Sequence, residues 1–176
     1  MKTVMKTTNA TRPRAPLALG RFLPGLVLPA LALLSACGDG GRNVTKASVS
    51  ENGVNASVEI RDPWCRPSPN GATAGACYAV IEASSDNRLT GVATPQATEV
   101  QIHDMVAQGD MMTMTPLPDG LALKGGEKVV LEPGAKHLML IGLTAPLTEG
   151  QAVALTFTFS ATPAMTVQAP VRQPKT

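Results

Sequence analysis

Histidine, cysteine and aromatic residues are scarce in this sequence. Of 176 residues, two are His, three are Cys, one is Trp, one is Tyr and three are Phe. Three cysteines cannot build a four-cysteine zinc site, and two histidines cannot build a three-histidine catalytic one. The net charge is only +2, and charged residues make up 16% of the chain. That composition lacks the basic, aromatic-studded surface of a nucleic-acid binder. No apolar run reaches the ~20 residues that span a bilayer as a helix, and no ten-residue stretch carries a convincing amphipathic helical period. The odd cysteine count leaves one thiol to be explained apart from any pair. The length leaves room for one ordinary domain.

What is present is unevenly distributed. Lys2, Lys6, Arg12, Arg14 and Arg21 lie ahead of the first acid, Asp39, and are followed by the apolar segment 22–36, FLPGLVLPALALLSA. Fifteen residues with two prolines suit a secretory signal better than a membrane span. The segment ends Leu34-Ser35-Ala36-Cys37, which resembles a bacterial lipobox. That resemblance implies loss of 1–36, lipidation of Cys37 and a domain held in the periplasm by a membrane anchor. Gly38 after the cysteine leans towards the outer membrane. Beyond Cys37, ten Lys/Arg stand against thirteen Asp/Glu, so the apparent basicity belongs to the leader. Residues 38–56 are rich in Gly, Ser and Asn without apolar periodicity. With Cys37 they read as a flexible tether over 37–56, of r.m.s. reach roughly 24 Å, leading to one domain over 57–176.

From residue 57 onward the pattern is that of β-structure. Strands are expected over 57–62, 76–83, 99–104, 128–132, 137–142, 153–160 and 165–171, separated by Pro/Gly/Asn/Asp clusters. Val153, Leu155, Phe157 and Phe159 alternate with Ala154, Thr156 and Thr158. This spacing predicts an all-β sandwich or barrel. Cys65 and Cys77 flank a Pro/Gly/Asn turn, where antiparallel neighbours can come within bridging distance. A disulfide there contributes about 2–3 kcal/mol by loop-closure entropy. A redox couple or a copper-thiolate pair is the alternative, without a Cys-x-x-Cys motif behind it.

Sulfur and imidazole share one window. Met105, Met111, Met112, Met114 and Met139 fall within 35 residues, together with both histidines, His103 and His137. On a strand, residues i and i+2 share a face. That pairs His103 with Met105, Met112 with Met114 and His137 with Met139. Imidazole beside thioether suits a soft ion such as Cu(I) and suits Zn(II), Mg(II) or Ca(II) poorly. Met111 and Met165 read as packing residues.

This window resembles the periplasmic copper chaperone family written PCu(A)C, whose signature is His, ten residues, Met, 21–22 residues, His-x-Met. Here ten residues separate His103 from Met114, 22 separate Met114 from His137, and His137-Leu138-Met139 completes the pattern. Thr115-Pro116, Gly125-Gly126, Leu131-Glu132-Pro133-Gly134 and Leu140-Ile141-Gly142-Leu143 are similar to the family's flanking text. So are Asp62-Pro63-Trp64-Cys65-Arg66-Pro67 and Ala76-Cys77-Tyr78 upstream. The resemblance implies a cupredoxin-like Greek-key β-sandwich and Cu(I) held by His103, Met114, His137 and Met139, with Met105 and Met112 as auxiliary ligands. It also implies a carrier rather than an enzyme. The recipient would be the binuclear copper subunit of cytochrome c oxidase or another copper chaperone, and nucleic acid is not an expected partner. Copper storage or detoxification is the competing function. A copper oxidoreductase is a further one, disfavoured by the lone Trp64 and Tyr78 and the absence of a Cys in the ligand pattern.

Overall fold

The computed structural model describes residues 44–51 and 54–174. The described residues form eleven strands and no helix: β1 (Val44–Glu51), β2 (Val54–Cys65), β3 (Ala74–Ala83), β4 (Asn87–Ala93), β5 (Ala97–Gln108), β6 (Met111–Pro116), β7 (Leu121–Leu123), β8 (Lys128–Leu131), β9 (His137–Leu143), β10 (Ala152–Phe159) and β11 (Met165–Pro170). Seven make one sheet in the order β1-β2-β3-β9-β5-β6, with β8 also pairing β3, and four make a second in the order β11-β10-β4-β7. Every ladder between named strands is antiparallel. The all-β sandwich expected from the strand spacing is the fold observed.

The sheets meet through their alternating apolar faces. From the larger come Val58, Ile60, Ile81, Ile102, Leu138 and Leu140, and from the smaller Leu89, Val153, Leu155, Phe157 and Val167, all buried. Phe157 is fully enclosed. Met165 packs in this core as expected. Met111 does not: its side chain is 73% exposed, because β6 is the edge strand of its sheet and carries Met111 at its outer end.

The structure also corrects the tether. Residues 44–51 and 54–56, within the span read as flexible, pair with each other and with β2 in unbroken register from Val44↔Arg61 to Glu51↔Val54. The segment is polar because it is an edge strand, with little to bury. Residues 1–43, including the span 1–36 read as a leader and Cys37, lie outside the described residues.

Local exceptions shape the larger sheet. β2 is irregular between Arg61 and Trp64, where Asp62 has φ of 48° and Pro63 offers no N–H to the ladder. Bulges are where a strand tolerates both. Beyond the bulge Cys65 pairs Cys77, with Cα atoms 4.0 Å apart, and the two are joined by a disulfide. Both are fully buried on the core face. In this form neither sulfur of the pair is a free thiolate for copper. At the rim of the smaller sheet, Gly120 has φ of 78° and lies so close to β4 that a Cβ would stand 2.2 Å from the Leu89 carbonyl oxygen.

Candidate metal centre

Three neighbouring strands of the larger sheet carry the window of imidazole and thioether. In the β5–β9 ladder His103 pairs directly with His137, and Gln101 with Met139. In the β5–β6 ladder Met105 pairs with Met114, and Ala107 with Met112. Directly paired residues of an antiparallel ladder project from the same face. His103, Met105, Met112, Met114, His137 and Met139 thus share one face. The alternate pair Ile102↔Leu138 projects from the other, into the core. The i, i+2 pairing expected within each strand becomes, through register, a pairing across strands as well.

Exposure grades along this face. His103 and His137 are buried, at 6% and 7% exposure, although they point away from the core. Met105 and Met139 are half-buried, and Met114 and Met112 reach 45% and 57%. The β5–β9 ladder ends at His103, while β5 and β6 run on together to Gln108 and Met111. The outer methionines therefore sit on a two-stranded extension, without a third strand beside them. A cleft of about 450 Å³ opens on the site, lined by Met114, His137 and Met139 on one side and by Arg66, Pro67 and Ala76 among others. Along the same outer face of β2 and β3, Trp64 and Tyr78 stack with ring centroids 4.5 Å apart, and the Arg172 guanidinium lies 4.4 Å over the Trp64 ring. Burial pushes the Tyr78 phenol above its ordinary range, against the opposing effect of the Arg66 charge.

The two imidazoles stand edge to face, centroids 5.6 Å apart. A turn places the second of them. Ala135 N–H bonds the Glu132 carbonyl, Gly134 takes φ of 82°, and the Ala135 carbonyl then lies 2.9 Å from His137 Nδ1. On the first, Nε2 lies 2.8 Å from Gln101 Oε1, and Nδ1 is buried with no hydrogen-bond partner. Lys136, just ahead of β9, and Asp104 of β5, each one residue along from the histidine pair, form an ion pair at 2.9 Å. Burial, and then the neighbouring His137, hold His103 below the ordinary imidazole pKa. His103 is thus neutral at neutral pH, the state in which imidazole binds metal.

The arrangement offers two imidazoles and a set of thioethers on one face, one ring nitrogen buried and unsatisfied. Such donors fit a soft, low-charge cation. Sequence reasoning did not single out Gln101, which bonds His103, or the Ala135 backbone, which bonds His137. Gln101 had a signal, since it lies two residues before His103 on a strand. The carbonyl of Ala135 had none, because a turn delivers it.

Comparison with known proteins agrees with this architecture. Residues 58–171 match the family described as "Putative lipoprotein LpqE-like". A relative from Leifsonia xyli subsp. xyli, "Putative lipoprotein Lxx21020", is 30% identical over 115 residues, 65% of this chain and 69% of that protein. Among solved structures, the copper-bound PCuAC domain from PmoF2 is similar with a TM-score of 0.55 at 25% identity, over 66% of this chain and 93% of that domain. The Cu(I) form of DR1885 from Deinococcus radiodurans is similar with a TM-score of 0.51 at 26% identity, over 62% of this chain and 74% of that protein.

Proposed function

Because this chain belongs to the LpqE-like lipoprotein family and has the fold of PCuAC domains, we propose that it is a copper chaperone of the cell envelope that binds Cu(I) through His103, Met114, His137 and Met139. The observation that carries this reading is the register of β5, β6 and β9, which gathers both histidines and the clustered thioethers on one face. Thioethers are soft and uncharged, so they favour Cu(I) over Cu(II). All four ligands are neutral, and the ion keeps its charge for the next site.

The gradient of exposure supports transfer rather than sequestration. The histidines form the closed end, and the open cleft lets an incoming donor displace Met114 first. Met105 and Met112 continue the thioether series along the hairpin as auxiliary, transient ligands. Cys37 carries the lipid after removal of 1–36, and the domain works in the periplasm, anchored to the membrane. The recipient is the binuclear copper centre of cytochrome c oxidase or its assembly factor. Storage or detoxification differs in phenotype: it sensitises a deletion strain to excess copper, where delivery costs oxidase activity under copper scarcity.

Anaerobic Cu(I) titration of the purified protein against a competing chelator tests the site. One tight equivalent is expected, lost in His103→Ala and Met139→Ala. Unchanged stoichiometry and affinity in His137→Ala would remove the ligand assignment.

A further inference from the structure

Each histidine of the pair is tied at one ring nitrogen, and the two ties differ. On His137 the tied atom is Nδ1, 2.9 Å from the Ala135 carbonyl oxygen. A carbonyl only accepts, so Nδ1 carries the hydrogen and Nε2 keeps its lone pair. On His103 the tied atom is Nε2, 2.8 Å from Gln101 Oε1.

The orientation of the Gln101 amide has its own anchor. Gln101 Nε2 donates to Glu99 Oε1 over 2.9 Å, and a carboxylate only accepts. With its NH₂ group turned to Glu99, the amide must face His103 with its oxygen. His103 Nε2 therefore donates, and Nδ1 holds the bare lone pair. That Nδ1 is the buried atom without a partner. An acceptor left unsatisfied in the interior is destabilising, and a ligand that completes it removes the deficit. Glu99, Gln101 and His103 stand at i, i+2 and i+4 on β5, so the strand's own alternation puts all three on the outer face.

We infer that Gln101, held by Glu99, is a positioning residue that fixes the His103 tautomer, so that Cu(I) is taken by Nδ1 of His103 and Nε2 of His137. This inference rests on the copper reading above and adds to it which nitrogen binds and what sets it. A carboxylate–amide–imidazole chain acts as the outer partners of metal-bound histidines generally do, orienting the ring and raising its basicity. Binding through Nδ1 brings the ion nearer the β5 backbone than binding through Nε2 allows, since Nδ1 is bonded to the ring carbon that joins Cβ.

Long-range ¹H–¹⁵N correlation spectra of the histidine rings, recorded on the whole protein with and without Cu(I), test this. The apo protein is expected to show His103 as the Nε2–H tautomer and His137 as the Nδ1–H tautomer. Cu(I) should shift His103 Nδ1 and His137 Nε2. Gln101→Leu, which keeps much of the bulk and removes the acceptor without adding a sulfur donor, should release the His103 tautomer while His137 stays as it was, and should weaken Cu(I) binding by about 10- to 100-fold. Gln101→Glu, which keeps an acceptor, should retain the tautomer. An Nδ1–H tautomer of His103 in the apo protein, or a Cu(I)-induced shift at its Nε2, overturns the inference and leaves the copper reading intact. Cu(I) that shifts neither ring overturns the copper reading and, with it, the assignment of nitrogens.

Discussion

His103 and His137 face each other directly across the β5–β9 ladder with ring centroids 5.6 Å apart, both buried on the side of the sheet turned away from the core. Residues of this polarity on an outer face are ordinarily solvated. Removing either imidazole should therefore cost more than removing a methionine further out. His137→Ala is expected to weaken Cu(I) binding by at least roughly tenfold, which is ~1.4 kcal/mol, and Met112→Ala by much less. Chelator competition on the two variants checks the order. Equal losses would mean that exposure does not rank the donors.

The disulfide lies on the opposite face from the proposed ligands, so stability and copper binding should separate. Replacing Cys65 and Cys77 together by Ser is expected to lower stability by about 2–4 kcal/mol and to leave one Cu(I) equivalent bound by the folded fraction. Denaturant midpoints and metal stoichiometry on the same preparation decide it.

Gly120 and Gly91 make a matched pair of tests. Gly120→Ala adds a Cβ where φ is 78° and the Leu89 carbonyl is 2.2 Å away. It should destabilise by about 1–3 kcal/mol. Gly91 has open space around a Cβ, and Gly91→Ala should change little. Thermal unfolding of the two variants side by side is the measurement.

The acid limb of stability should respond to Asp86. The Gly125 backbone N–H, and then Lys124, hold its carboxyl below the ordinary carboxylate pKa. The unfolded chain therefore binds this proton at a higher pH than the folded one. The contribution is present above pH ~4 and fades as pH falls through the lowered folded value. Asp86→Asn should flatten that part of the pH–stability curve. An unchanged acid limb would show that other carboxylates set it.

The sequence made the sandwich legible where alternation was clean. Val153, Leu155, Phe157 and Phe159 of β10 are the plainest case. β4 was hidden because its register slips between Thr158 and Phe159 on β10, so that its buried residues, Leu89 and Val92, stand three apart rather than two. β7 is three residues long, too short for any period to register. β1 pairs at an edge with little to bury, so composition alone read it as tether. At the site, residue types and spacing singled out the histidines and methionines that register gathers on one face, since metal chemistry restricts which side chains can serve. Gln101 and the Ala135 carbonyl escaped because their contribution is a hydrogen bond, which almost any polar group can make.

The graded exposure of the outer face has a chemical price. Met111, Met112 and Met114 are the most open methionines among the described residues, and the envelope location proposed above would place them in oxidising surroundings. Thioether sulfur oxidises to the sulfoxide, which is polar and chiral and is reversed only by dedicated reductases. At Met114 that conversion replaces a soft donor with an oxygen. The openness that would let an ion leave by way of this strand is also what leaves its sulfur within reach of peroxide, so upkeep of the thioethers would be a condition of the proposed transfer.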